Sequence, residues 1–389
     1  MNTPEVSLYL DYAATTPTDP EVAEAMLPYL SGPLSVGNAS SIHRFGRQAR
    51  AAVDEARDAV ARLIQADYAE LYFTGSGTEA DNLALIGAMQ AAPVGRDHLV
   101  VSAIEHHAVL HTAHSLQKQG YAVTIVPCDS EGVISPDAVA EAVTDRTALV
   151  SIMHANNEIG TLQPITEFAR IAHARGAKFH TDAVQSVGML SVDVAALGCD
   201  LLSLCAHKIY GPKGAGALYI KQGVKVSPQL HGGAQEREKR AGTENVAALV
   251  GFGKAAELSA TRRAIDTEHI VALRDRFLGL LLAAIPDLIL NGHSSLRLPN
   301  NANVSVPGAD GTTLLMNLDR KGVAASSGSA CSSGSLEPSH VLKAIGLADN
   351  LASSGVRFSL GRMTTEAEIV QAAEIFAAIV HRLRTKIRP

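Results

Sequence analysis

The sequence predicts an α/β protein, a mostly parallel sheet covered by helices, followed by a smaller α+β domain. Two observations carry this. Between residues 47 and 220, short apolar runs of strand length alternate with stretches of helical periodicity, the pattern of a buried parallel sheet. Beyond residue 245 the alternation gives way to a long helical region, an isolated strand and a final amphipathic helix.

Taken in order, residues 47–64 place Ala49, Val53, Ala56, Val60 and Leu63 at helical spacing. Leu71, Tyr72 and Phe73 read as a buried strand, and Gly75-Ser76-Gly77-Thr78 turns the chain into a helix over 79–90. Further strands are expected at 98–101, 121–126, 148–153, 177–180, 200–204 and 216–220. Helices over 106–119, 136–143 and 164–175 separate several of them. A helical region then covers 245–285, and 303–306 reads as a strand. A helix is expected over 337–345, with Pro338 in its first turn and Gly346 at its end. Thr365 and Glu368 stand in capping-box spacing before a last helix that aligns Ile369, Phe376 and Leu383.

The 389 residues carry 33 Lys and Arg against 39 Asp and Glu, a net charge of −6, which argues against a nucleic-acid binder. Hydrophobic residues make up 47% and charged ones 19%, which excludes a disordered chain. The four cysteines, at 128, 199, 205 and 331, are too few and too scattered for a disulfide framework or a paired-cysteine metal site. The N-terminus shows no basic patch followed by an apolar stretch. The longest helix-like apolar run, 277–285, stops at Pro286, far short of a bilayer span. A cytoplasmic protein without a membrane segment is expected.

Four features bear on chemistry. Gly75 and Gly77 let the backbone approach a ligand, and the helix that follows offers unpaired N–H groups to an anion. Alone, this reads equally as a tight strand–helix turn, since it has neither a third glycine nor a Gly-Lys-Ser/Thr. Asp182 and Lys208 each stand just past an apolar strand, where α/β sheets place functional groups. A lysine there is unusual unless paired or reacted. The three together fit pyridoxal phosphate (PLP): lysine for a Schiff base, carboxylate for the pyridinium nitrogen, helix end for the phosphate. Cys331 lies in a run of Ala, Ser and Gly over 325–335 that can bury little surface. A mobile thiol-bearing arm is expected there, a plain linker being the bland alternative. His107, His111 and His114 share a helical face but have no acidic or cysteine companion, so no metal site of the protein's own is expected. His106 heads that stretch, within reach of the sheet edge that carries Asp182 and Lys208.

An ordered set of motifs runs along nearly the whole chain. It comprises Tyr9-Leu10-Asp11-Tyr12-Ala13-Ala14-Thr15-Thr16-Pro17, Gly37-Asn38, Gly77-Thr78-Glu79-Ala80-Asp81-Asn82, Glu105-His106 and Asn156-Asn157-Glu158-Ile159-Gly160. It continues with His180-Thr181-Asp182, His207-Lys208, Arg240-Ala241-Gly242-Thr243, Ser326-Ser327-Gly328-Ser329-Ala330-Cys331, Leu336-Glu337-Pro338-Ser339-His340 and Arg357-Phe358-Ser359-Leu360-Gly361. In these the sequence resembles cysteine desulfurases of the NifS/IscS type, class V aminotransferases of PLP fold type I. The long loop around Cys331 resembles the first group of that family.

The resemblance implies an N-terminal segment (1–20) joining the small domain, a large PLP-binding domain (21–245) and a small domain (246–389) carrying a mobile Cys331 loop. It implies a homodimer that converts L-cysteine to L-alanine, leaving the sulfur on Cys331 as a persulfide. From there the sulfur passes to acceptors such as an iron–sulfur cluster assembly scaffold; a metal would touch Cys331 only in a cluster shared with that partner. Lys208 would bond the cofactor and move the Cα proton, with Asp182 on the pyridinium nitrogen and His106 stacked on the ring as an acid or base. Asn157 and Gln185 would hydrogen-bond the cofactor. Gly77, Thr78, Cys205 and His207 would hold the phosphate, with Thr243 reaching it from the other subunit. Asn38 and Arg357 would bind the substrate, Arg357 at its carboxylate. The chain departs from the commoner pattern at Cys205, where many members have serine, and at Ala206, where many have glycine; a thiol is the weaker donor. A PLP enzyme of another substrate, such as a selenocysteine lyase or an aminotransferase, would share all of this but the demand for Cys331.

Overall fold

In a computed structural model that describes residues 8–327 and 338–387, the alternating pattern becomes a layered α/β unit. Strand β1 (Leu8–Tyr9) is followed by helices α1 (Pro20–Leu30) and α2 (Arg44–Leu63). Strand and helix then alternate through β2 (Leu71–Thr74), α3 (Gly77–Gln90), β3 (His98–Ser102), α4 (His107–Lys118), β4 (Ala122–Val126) and α5 (Pro136–Ala142). The series continues with β5 (Thr147–Ser151), α6 (Ile165–Ala174), β6 (Lys178–Asp182), α7 (Val194–Leu197), β7 (Leu201–Cys205) and β8 (Gly216–Ile220). Among the described residues, β2 to β8 form one seven-stranded sheet in the order β2-β8-β7-β6-β5-β3-β4. Strand β8 runs antiparallel to both of its neighbours, β2 and β7, and the remaining pairs are parallel. The strands β3, β5, β7 and β8 are buried along their whole length, which is why they read as unbroken apolar runs rather than alternating ones.

The remainder comprises α8 (Val246–Ala284), β9 (Ile289–Leu290), β10 (Asn301–Ser305), α9 (Gly311–Arg320), β11 (Val323–Ala324), α10 (His340–Ala344), α11 (Asp349–Ala352), β12 (Gly355–Ser359) and α12 (Glu366–Ile387). Strands β12, β10 and β9 form an antiparallel sheet, and β1 pairs in parallel with β11. Helix α8 serves two cores. Phe252 packs in the cluster of α2 and one face of the large sheet, whereas Phe277 and Leu281 join β10, β12 and α12. There Phe358 meets Phe277 and Phe376 edge to face, with centroids 5.1 and 5.2 Å apart. Among the described residues no helix is long and apolar enough to cross a membrane.

The structure adds elements that the sequence-based reading does not assign, among them α1, α9 and β12, and shifts the start of α10. Helix α10 starts at His340, because the Ser339 hydroxyl accepts the Leu342 N–H at 3.2 Å and leaves Pro338 ahead of the cap. Helix α1 went unread: it contains Pro28 and fully buries only Val22, so it carries no clear apolar stripe.

The segment after β8 is strapped beneath β2. Glu236 and Arg57, both buried, form a two-bond pair at 2.6 and 2.7 Å, and Glu236 also accepts the Phe73 N–H at 2.8 Å. These bonds hold Glu236, Arg237 and Glu238 at φ of 45, 51 and 64°, left-handed values that non-glycine residues seldom adopt. Replacing Arg57 by Ala strands a buried carboxylate, with an expected loss of about 3–5 kcal/mol in urea unfolding. A loss below about 1 kcal/mol would contradict the strap.

Candidate active site

The C-terminal ends of the parallel strands face the turn before α3, and together they enclose a cavity of about 360 Å³. Ser76 caps α3 by accepting the Glu79 N–H at 3.1 Å, while the Gly75 N–H donates to Glu79 at 2.7 Å. Position 77 has no room for a side chain: a Cβ would lie 2.8 Å from Val184 Cγ2. Ser76, Gly77 and Thr78 line the cavity at the positive end of a helix of 14 residues, whose first-turn N–H groups have no intrahelical partner.

Asp182 is the last residue of β6, and its carboxylate accepts the Val184 N–H at 2.8 Å. Burial raises its pKa, against the opposing pull of Lys208. Lys208 follows β7 by one short turn and donates from Nζ to the carbonyl oxygens of Ala13 and Ala14, the latter at 2.7 Å. Gln185 donates to the same Ala13 oxygen at 2.9 Å. His207 bonds Thr15 Oγ1 at 3.1 Å, and burial takes its pKa down to about 4. His106 caps α4, its Nδ1 accepting the Ala108 N–H at 3.1 Å, so the neutral ring carries its proton on Nε2. Burial first and Lys208 second take its pKa down to about 4. From β12, Arg357 donates to the Asn157 carbonyl oxygen at 2.9 Å and to Asp11 at 3.0 Å. Its buried Nε–H has no partner among the described residues.

The structure thus brings Gly77, Thr78, His106, Asn157, Asp182, Gln185, Cys205, His207, Lys208 and Arg357 to one cavity. Cys205 is buried there, and burial pushes its thiol up to about 12, leaving it a neutral and weak donor. Asn38 and Thr243 are exposed and do not line the cavity of their own chain. Cys331 lies outside the described residues. His107 and His111 stack at 4.7 Å, and no group of three or more His, Cys, Asp or Glu among the described residues is placed to hold a metal ion. The donor set suits PLP: a helix end without a Cβ for a phosphate, a carboxylate for a protonated ring nitrogen, and an amine that can bond an aldehyde.

The profile of the class-V aminotransferase family matches residues 8–371. The chain is 50% identical over 378 residues to the cysteine desulfurase IscS of Dictyoglomus turgidum, covering 97% of this chain and 95% of that one. It is 48% identical over 384 residues to the cysteine desulfurase IscS of Methanosarcina thermophila, covering 99% and 94%. Among solved structures, a NifS-like protein superposes with a TM-score of 0.90 at 33% identity, covering 97% of this chain and all of the other. The apo cysteine desulfurase of Thermococcus onnurineus NA1 gives 0.86 at 25% identity, covering 97% and 95%.

Sequence reasoning passed over the buried acids around the cavity. Asp81 lies on the apolar face of α3 beside Ala80 and Ala84, and Glu105 ends the loop after β3; a charged residue inside an otherwise apolar run was the available signal. Asp81, raised by burial and by the nearby Asp182 carboxyl, sits 3.7 Å from His180 Nε2. Ser102 and the Met153 N–H both bond Glu105 Oε1, at 2.5 and 2.9 Å, and Oε2 has no partner among the described residues. Burial lifts the Glu105 pKa from 4.5 to about 8. The folded protein therefore prefers the neutral acid: its stabilising effect is complete below the unfolded pKa and is lost as pH rises through about 8. On raising the pH from about 6 to about 9, the melting temperature of Glu105→Gln is expected to fall by a few degrees less than that of the wild type. Parallel curves would show that Glu105 is ionised throughout.

Proposed function

This chain belongs to the class-V aminotransferase family and is a PLP-dependent cysteine desulfurase of PLP fold type I; we propose that Lys208 holds the cofactor and that Cys331 takes the sulfur. The observation that carries the reading is the meeting of Lys208, Asp182, Arg357 and the α3 N-terminus in one cavity. PLP, when bound, supplies an electron sink for charge developing at the substrate Cα.

The chain's own groups do the rest. The first turn of α3, with Thr78 and His207, receives the phosphate, and the neutral Cys205 thiol adds little to it. Asp182 holds the proton on the ring nitrogen, and Asn157 and Gln185 add hydrogen bonds at the cofactor's rim. Arg357 takes the substrate carboxylate, with Asn38 closing over the substrate. The Lys208 amine removes the Cα proton and returns it, and the Nε2–H of His106 is set to donate. The Cys331 thiolate attacks the substrate sulfur: an S–S bond forms, the Cβ–S bond breaks with its electron pair returning to carbon, and alanine leaves.

The exposure of Thr243, away from its own cavity, supports a homodimer in which it reaches the phosphate of the other copy. The same reading takes 1–20, 21–245 and 246–389 as joining segment, large domain and small domain. It places the enzyme in the cytoplasm, handing sulfur to an acceptor such as an iron–sulfur assembly scaffold.

Incubating the holoenzyme with L-cysteine is expected to yield alanine and a Cys331 peptide heavier by one sulfur atom. Cys331→Ser should abolish both while the cofactor absorbance remains; retained desulfuration would overturn the role of Cys331. Lys208→Ala should lose the long-wavelength absorbance of the lysine-bound cofactor, and an unchanged spectrum would overturn that assignment.

A further inference from the structure

Backbone partners fix the tautomers of two histidines in the cavity wall, and they fix them oppositely. The His106 proton sits on Nε2, because Nδ1 accepts the Ala108 N–H. His340 Nε2 lies 3.0 Å from the carbonyl oxygen of Glu105; a carbonyl only accepts, so here Nε2 carries the hydrogen and bonds with it. In the neutral ring this leaves His340 Nδ1 a lone pair, and no group among the described residues donates to it. The ring is held neutral by burial, by His107 at a centroid distance of 4.7 Å and by His111 stacked behind His107. It is also held in place: Ser339 caps α10 and bonds Glu158 through the same hydroxyl, so His340 begins a helix anchored to the cavity wall.

Arg357 and the aldehyde of a cofactor held by Lys208, both in the same cavity, would meet groups that every α-amino acid possesses, a carboxylate and an amine. Choosing a thiol needs a group that recognises S–H, a weak donor best served by a neutral acceptor away from water. Of the three carboxyl groups of the wall, Glu158 bonds Ser339 and Asp182 accepts the Val184 N–H, while Asp81, whose Oδ1 has no hydrogen bond among the described residues, sits against His180 with its pKa raised by burial and by the Asp182 carboxyl. We propose that His340 is a specificity-determining residue whose Nδ1 accepts the S–H of L-cysteine while Arg357 holds the carboxylate. The inference rests on the desulfurase reading and extends it to the basis of substrate choice. Recognition here is a hydrogen bond, with no proton transferred.

Two variants of the holoenzyme separate this role from packing. In His340→Gln the side-chain amide N–H stands near the place of Nε2–H and keeps the bond to Glu105, but no acceptor remains at the Nδ1 position. In His340→Asn the amide oxygen stands near Nδ1. The probes are L-cysteine, followed by KM and by its dissociation constant from the cofactor absorbance, and L-alanine, which lacks only the thiol, followed by its dissociation constant in the same way. His340→Gln is expected to raise KM for cysteine about three- to tenfold, the worth of one hydrogen bond, with alanine binding unchanged. His340→Asn should recover most of that loss. Equal weakening of both ligands, an unchanged response to cysteine, or no recovery with Asn would each overturn the proposal. Should the wild type release no alanine from cysteine, the desulfurase reading fails on that result, while the ratio of cysteine to alanine binding in the variants still decides the role of His340.

Discussion

The site depends on a short stretch of backbone near the N-terminus that satisfies a lysine ammonium. Ala13 and Ala14 present their carbonyl oxygens to Lys208 Nζ, and the same stretch reaches the other functional groups in turn. Asp11 pairs with Arg357, Thr15 bonds His207, and Thr16 bonds the His207 carbonyl oxygen from both its N–H and its hydroxyl. The Tyr12 N–H in turn bonds the Ser359 carbonyl oxygen at the end of β12. A cation at the end of a buried strand would be costly without such partners. The segment that supplies them also ties the large sheet to the strand that carries Arg357.

Around that anchor the protein keeps its charges few. His106, His154, His180 and His207 are all held neutral by burial, with pKa values pushed down to about 4 or below. Glu105 and Glu158 are pushed the other way, to about 8 and about 7. Of the charged groups at the cavity, Lys208, Asp182 and Arg357 are those the proposed chemistry uses. Where such a group is buried, as Asp182 and Arg357 are, it acts more strongly than it would in solution. Neutral imidazoles with fixed tautomers then provide donors and acceptors without adding charge, which suits proton movements beside a cationic lysine.

Much of this was legible in the sequence. The parallel strands announced themselves as apolar runs, and Asp182 and Lys208 were conspicuous because polar residues at the ends of such runs have no structural reason to be there. Gly77 was a weak sign alone and became specific only when Val184 was found against it. The Ala13 and Ala14 carbonyls were hidden, since a backbone acceptor leaves no mark on residue type. The tautomers of His106 and His340 were hidden for the same reason: each is set by a main-chain group. Asp81 and Glu105 stand beside apolar residues in the sequence, but their burial follows from packing between distant segments, and α10 starts later than its sequence suggests because Ser339 outweighs Pro338 as a cap. What the sequence could not encode locally was contact between distant segments.

The most direct test of the central claim is to reduce the holoenzyme with borohydride, digest it, and find by mass which peptide carries the pyridoxyl group. A single label on Lys208 is the expected result. A label on another lysine, or a protein that binds PLP without any reducible bond, would contradict the account.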